Sequence, residues 1–262
     1  MADIRPLALV TGASSGIGLE LAKLFVAAGY DLVVNAEDAE LATAAAGLRA
    51  AGARVDAVQA DLRTPAGVER VWAAVQHQGR ALDAAALNAG IGLGKAFVDE
   101  DLDQALALVD LNVRSTTHLA HLVLRDMVGR DTGRVLVTSS IASTMPGAFQ
   151  AVYNATKSYL QSLVEALQEE LKDSAVTLTS LMPGPTETEF FARGDLLDTK
   201  VGQAKKDDPA DVAEQGFQAM LKGERRVVAA SLTTKLMEAG NKVVPDALKA
   251  KAHRQMAEPQ DS

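Results

Sequence analysis

Short apolar runs that stop at glycine or polar residues recur along this chain, and between them lie longer stretches whose apolar residues are spaced three and four apart. The first run, Leu7-Ala8-Leu9-Val10, breaks at Thr11-Gly12, as a short parallel strand buried on both faces does. Behind it Ile17, Leu21, Leu24, Phe25 and Ala28 fall on one helical face, and Gly29 supplies a stop. Comparable runs predict strands over 31–35, 54–59, 83–87, 134–138, 176–181 and 226–230. Val68, Val71, Trp72 and Val75 give one intervening helix its face; Leu160, Leu163, Val164, Leu167 and Leu171 give another. A long helical stretch is expected over 102–128. Parallel strands joined by helices cross over right-handed and cover both sheet faces, so the expected fold is α/β, a doubly wound sheet of about seven strands.

No low-complexity linker and no fixed-period repeat interrupts the pattern. Residues 1–262 therefore read as a single domain with its core over 5–230. The tail over 232–262 carries Lys235, Lys242, Lys249, Lys251 and Arg254 among scattered apolar residues and reads as a solvated surface helix with a frayed end. Hydrophobic residues make up 48% and charged residues 23% of the chain, a globular balance. A net charge of -8, with no basic run to offset it, argues against a nucleic-acid partner. There are no cysteines, so disulfides and thiolate metal sites are excluded. Met1 to Pro6 lead into an apolar run too short for a signal peptide or membrane span, and the expectation is a cytoplasmic protein with no membrane partner.

Thr11-Gly12-Ala13-Ser14-Ser15-Gly16-Ile17-Gly18 stands after the first strand and opens the first helix, where a Rossmann fold places its phosphate loop. Glycines allow the backbone to turn tightly against a pyrophosphate, and the helix start offers unpaired N–H groups to it. Taken alone, the run could be an ordinary glycine turn. Asn88-Ala89-Gly90 follows the fourth strand at the same sheet edge, and Ser140 ends the fifth. Asn112 lies inside a helical stretch, an awkward place for a side chain that competes for backbone hydrogen bonds. Tyr153 and Lys157 are four residues apart, on one helix face. An ammonium there lowers a phenol's pKa from about 10 toward a range useful for acid/base work.

Together these residues resemble the classical short-chain dehydrogenase/reductase family, whose pattern is a TGxxxGxG loop, NAG, a helix Asn, Ser, YxxxK and a later PG motif. TGASSGIG spans Thr11 to Gly18, NAG is Asn88 to Gly90, YNATK runs from Tyr153 to Lys157, and PGPTET from Pro183 to Thr188. The resemblance implies a catalytic tetrad of Asn112, Ser140, Tyr153 and Lys157, with Ser140 preferred to Ser139 because it stands thirteen residues before Tyr153. Tyr153 would move the proton, Ser140 would hydrogen-bond the reacting oxygen, Lys157 would hold the nicotinamide ribose, and Asn112 would hold a relay water. The dinucleotide would lie on Gly12, Ser14, Ser15, Gly16, Ile17, Gly18, Glu37, Asp61, Leu62, Asn88, Ala89, Gly90, Tyr153, Lys157, Pro183, Gly184, Thr186 and Thr188.

The resemblance thus implies an oxidoreductase interconverting a secondary alcohol and a ketone, its substrate a small molecule of unspecified class. An NAD(H)-binding redox sensor or an extended-type epimerase or dehydratase is the alternative. Glu37 and Asp38, with a neutral Ser15, argue for NAD rather than NADP, although the family's usual NAD-selecting Asp would fall at Ala36. Phe190 and Phe191 are either pocket wall or helix packing. His118 and His121 share a helix with no third ligand, so no metal is expected. The long helices that start at Leu102 and near Tyr153 form subunit faces in similar proteins, which implies a homodimer or homotetramer.

Overall fold

The computed structural model describes residues 5–229 and 244–259. All seven strands appear: β1 Leu7–Thr11, β2 Asp31–Ala36, β3 Val55–Gln59, β4 Ala84–Leu87, β5 Gly133–Thr138, β6 Val176–Pro183 and β7 Arg226–Ala229. Ala230, expected to end the last strand, lies outside the described residues, as do Lys235 and Lys242. The strands form one parallel sheet in the order β3-β2-β1-β4-β5-β6-β7. In register, Val10 lies between Val34 of β2 and Ala86 of β4. The chain winds outward from β1 to β3, then crosses back to place β4 on the other side of β1. That reversal leaves a crevice at the carboxyl ends of β1 and β4.

Side chains alternate across the sheet and build two cores. Leu7 and Leu9 of β1 join Val71 and Val75, Leu119 and Val123, and Leu160 and Val164 on one face. Ala8 and Val10 join Leu21 and Phe25, Leu41 and Leu48, and Phe217 and Met220 on the other. The helices that supply them are α1 Gly16–Ala27, α2 Glu40–Ala50, α3 Pro65–His77, α4 Leu102–Val109, α5 Thr116–Gly129, α6 Ala151–Glu170, α7 Phe190–Arg193, α8 Lys200–Gln203, α9 Pro209–Leu221 and α10 Asp246–Ala257. Phe25 anchors the second core edge-on to Tyr30 and Phe217, with ring centroids 5.2 and 5.0 Å away. Local chemistry sets the helix starts: Thr64 accepts a hydrogen bond from Gly67 N at 3.0 Å ahead of Pro65, and Asp208 accepts from Ala210 N at 2.8 Å ahead of Pro209.

The stretch 102–128 is helical throughout, as expected, and carries a π-helical segment, Asp110–Ser115, between α4 and α5. Asn112 lies within it with its side chain turned inward, and a wider turn of this kind often marks a functional position. The described part of the tail is helical and mostly solvent-exposed, as expected, with Ala257 its one buried residue, but one edge of α10 turns to the crevice. Lys249, Ala252, His253, Met256 and Ala257 recur at three- and four-residue spacings and face the crevice. No described helix is long and apolar enough to cross a membrane.

Candidate active site

The crevice holds a cleft of about 380 Å³ into which the glycine loop, the ends of β2 to β6, the start of α6 and α10 all converge. Of the residues expected to touch a dinucleotide, all but Gly18 line it. Gly18 is packed behind the loop, where a Cβ would stand 2.0 Å from the Gly12 carbonyl oxygen. Thr11 organises the neighbouring turn, its hydroxyl accepting from Asn88 N at 2.9 Å and Ala89 N at 3.1 Å. The Asn88 amide donates to Thr11 O at 3.3 Å and accepts from the Thr138 hydroxyl at 3.0 Å, tying the ends of β1, β4 and β5 together. A Cβ on Gly16, whose φ is +55°, would meet the Thr188 methyl at 2.9 Å, so only glycine lets the 183–188 loop close on the phosphate loop.

Three of the four tetrad residues form one buried cluster. The Ser140 hydroxyl hydrogen-bonds the Tyr153 phenol and accepts from Ala142 N at 3.1 Å. Ser139 points elsewhere, donating to Lys157 O at 3.2 Å, which favours Ser140 as the partner of the phenol. Lys157 Nζ donates to Thr138 O at 2.9 Å and lies 5.9 Å from the centre of the Tyr153 ring. Gly90 makes room for it, since a Cβ there would stand 3.4 Å from Lys157 Nζ and 3.1 Å from Asn112 Oδ1.

Asn112 ties the loop after β4 to α6. Its side chain is fully buried. Its oxygen accepts from Ile91 N at 3.0 Å, and its amide donates to Ile91 O at 2.9 Å and to the Thr156 hydroxyl at 3.1 Å. Both amide hydrogens are spent on protein atoms, which fixes the strand-end backbone beside Gly90 against the α6 helix.

The acid/base balance also differs from the expectation that Lys157 lowers the phenol. Burial pushes Tyr153 up to about 12, the Ser140 hydrogen bond pulling the other way. Burial brings Lys157 down to about 8. Desolvation outweighs the attraction because both groups share one enclosed space. Lys157 therefore carries a stability cost. Unfolded, its ammonium persists to about pH 10; folded, it releases its proton near 8, so stability from this group is present above the unfolded value and lost as pH falls through 8. Lys157→Met should raise unfolding free energy at pH 7 by about 2 kcal/mol, being about 3 from relieved desolvation less about 1 for the lost hydrogen bond. Urea midpoints at pH 7 and pH 10 check this: the gain should shrink toward zero at the higher pH, and an equal gain at both would contradict the assignment.

At the far end of the cleft, charge is more mixed than expected. Glu37 pairs with Arg63 at 2.8 Å, and Arg63 also holds Asp61 at 2.9 Å, keeping that carboxyl below its usual range. Asp38 accepts from the Ser14 hydroxyl at 2.9 Å and lies 3.6 Å from Arg193, itself paired with Glu189 at 2.5 Å. Asp38 Oδ1 is buried without a hydrogen-bond partner among the described residues. Four carboxylates face two guanidiniums, so this end stays net negative. The glycine cradle fits a dinucleotide, and the orphaned Asp38 oxygen fits a hydrogen-bond donor on it.

A model of the short chain dehydrogenase family matches residues 6–195. This chain belongs to the short-chain dehydrogenase/reductase family. An uncharacterized oxidoreductase of Staphylococcus saprophyticus is 28% identical over 216 residues, covering 82% of this chain and 90% of that protein. Among solved structures, a short-chain dehydrogenase from Sphingobium yanoikuyae in complex with NADPH is 27% identical, with a TM-score of 0.79 over 98% of each chain. One from Burkholderia phymatum in complex with NAD reaches a TM-score of 0.83 over 98% of this chain and 97% of that one, at 22% identity, and speaks to the fold.

In this short-chain dehydrogenase/reductase the aromatic pair after Thr188 divides its work. Phe190 packs on the Tyr153 ring at 5.1 Å, entering space that the bare Gly92 leaves open. Phe191 is buried beneath Lys206, 4.9 Å from its ring. His118 pairs with Glu69 at 2.9 Å, and among the described residues no cluster of three His, Cys, Asp or Glu could hold a metal. Sequence reasoning missed the α10 face of the cleft altogether. The three- and four-residue spacing was present, but it was written in Lys, Ala, His and Met, which carry little hydrophobic contrast.

Proposed function

We propose that this chain interconverts a secondary alcohol and a ketone, with Tyr153 as acid/base and NAD as the preferred hydride partner. The observation that supports it is the enclosure of Tyr153, Ser140 and Lys157 in one cluster at the end of the dinucleotide-type cleft. The glycine loop would hold the pyrophosphate, Glu37, Asp38, Asp61 and Leu62 the adenosine, and Lys157 with the 183–188 loop the nicotinamide half. Once bound, the nicotinamide supplies the hydride in reduction and accepts it in oxidation.

In the reductive direction a carbonyl oxygen meets two protein donors. The phenol, held up at about 12, is protonated at pH 7 and gives its proton to that oxygen. The Ser140 hydroxyl donates a hydrogen bond to the same oxygen as negative charge develops on it. Lys157, at about 8, is still mostly ammonium at pH 7 and favours the phenolate left behind. Oxidation runs the same path backwards. A homodimer or homotetramer belongs to this reading, because α4 leaves Leu102 and Leu106 exposed at 67% and 52%.

The NAD preference rests on the net negative adenosine end, where a 2′-phosphate would meet Glu37 and Asp38. Fluorescence titration should give tighter binding of NADH than of NADPH, and absorbance at the reduced-nicotinamide band should show turnover across a panel of alcohols with NAD and ketones with NADH. Tighter NADPH binding would reverse the cofactor assignment. NADH binding with no turnover anywhere in the panel would favour a sensor.

A further inference from the structure

One wall of the cleft is α10. Three contacts fasten it there. His253 Nδ1 lies 2.9 Å from the Ala148 carbonyl oxygen, Arg254 stacks 5.6 Å over the Phe149 ring, and a bridge joins Thr199 to Pro259 just beyond the helix. Ala148 and Phe149 belong to the turn that leads into α6, so the anchor for α10 is the loop that delivers the catalytic tyrosine. Phe149 holds a φ of +60°, a conformation that L side chains rarely adopt.

Imidazole chemistry sets what this wall can do. A carbonyl oxygen only accepts, so Nδ1 must carry the hydrogen, and in a neutral ring Nε2 then presents a bare lone pair. Burial lowers the His253 pKa, the Ala148 carbonyl pulling the other way, and the ring is neutral at pH 7. His253 lines the cleft, and among the described residues nothing donates to its Nε2. The charged neighbours on its helix are otherwise engaged: Lys249 with Asp246 at 3.0 Å and Arg254 with Glu258 at 2.9 Å. The cleft lining includes the apolar Ile141, Met145, Phe190 and Met256 as well as the polar Gln150, Glu189 and Arg193. With Lys249 and Arg254 already paired, the partner that suits a neutral acceptor here is an uncharged donor.

We infer that His253 is a specificity-determining residue whose Nε2 accepts a hydrogen bond from a hydroxyl on the substrate, and that preferred substrates are ketones or alcohols with an apolar body and a second, distal hydroxyl. This rests on the alcohol–ketone reading of the cleft. It adds a residue from the end of the chain to the site and narrows the substrate class.

Matched ketones that differ only in a distal hydroxyl test it: a hydroxyphenyl-substituted butanone against its phenyl parent, and an omega-hydroxy octanone against octanone. The wild-type protein should prefer the hydroxylated member by about 10- to 100-fold in kcat/KM. His253→Asn, whose shorter amide can still donate to Ala148 but cannot reach the Nε2 position, should bring that ratio close to one. His253→Gln, which can place an amide oxygen there, should restore part of it. An unchanged ratio in His253→Asn, or no preference in the wild type, overturns the inference. Nitrogen NMR of histidine-labelled protein with oxidised NAD bound, which has no hydride to give a ketone, reads the same contact without turnover. The Nε2 resonance should report the Nδ1–H tautomer and shift with the hydroxylated ketones alone; the other tautomer, or equal shifts with both members, overturns the inference. Loss of all turnover with the NMR response intact would instead count against the oxidoreductase reading.

Discussion

Tyr153→Phe should lower kcat by about a thousandfold in either direction while leaving the Kd for NADH within about threefold. The substitution removes one oxygen and keeps the ring. The ring is what Phe190 packs against at 5.1 Å and what Lys157 approaches at 5.9 Å, so the walls of the cleft stay in place. The fold should survive as well: the lost phenol leaves Ser140 with its hydrogen bond from Ala142 N at 3.1 Å, and a deletion of this kind costs about 1 kcal/mol. The proton is what goes. With burial holding the phenol at about 12, the group is an acid at neutral pH and no neighbouring side chain can replace it. Lys157 is turned to Thr138 O at 2.9 Å, and Ser140 is too weak an acid to donate outright. Stopped-flow or steady-state absorbance, with NADH titration in parallel, checks both halves. A variant with near-normal kcat would remove Tyr153 from the chemistry; one that fails to bind NADH would make its role structural.

How much of this could be read from the residues depends on the range over which each effect acts. The inner strands were legible because they are short and largely apolar, β1, β2 and β4 being buried at every residue, whereas the edge strands β3 and β7 are only partly buried and were legible from their place in the alternation with helices. The glycine loop, the NAG turn and the Tyr153–Lys157 spacing were legible because a motif is a local arrangement on a known edge of the sheet. Four things were not. The π segment at Asp110–Ser115 shifts the helix by a single residue, and apolar periodicity on either side survives such a shift; only the misplaced Asn112 hinted at it. The pKa order of Tyr153 and Lys157 depends on burial, which the four-residue spacing cannot convey, and burial reversed the expected direction for the phenol. The docking of α10 was hidden because its one strongly apolar residue before Met256, Leu248, points outward at 58% exposure, while the face that meets the cleft is Lys249, Ala252 and His253. Arg63 and Arg193 were likewise invisible as neighbours of the carboxylates, since Arg63 lies 26 residues after Glu37 and Arg193 reaches Asp38 across the cleft.

Gly18→Ala should destabilise the fold by about 2 to 3 kcal/mol and weaken NADH binding by more than about a hundredfold, although alanine is the better helix former by about 1 kcal/mol. The two effects oppose each other, and distance decides between them. An added Cβ would stand 2.0 Å from the Gly12 carbonyl oxygen and 2.6 Å from Asn88 Nδ2. The first is backbone and cannot rotate away, and the second is the amide that bridges Thr11 and Thr138. Either α1 lifts off the end of β1, or the loop from Gly12 to Gly16 and the turn at Asn88 move together; both outcomes open the phosphate cradle. Gly47→Ala separates this clash from propensity. Gly47 is also inside a helix, α2, but a Cβ there meets nothing within 4 Å. With packing removed from the comparison, propensity alone should act, and Gly47→Ala should stabilise by up to about 1 kcal/mol with NADH binding unchanged. Chemical denaturation and NADH titration of the two variants side by side make the check. Opposite signs in stability would show that Gly18 is required by the close approach of α1 to the phosphate loop, whereas two stabilised proteins would mean that the loop yields easily and that its glycines are not what hold the dinucleotide cradle in shape.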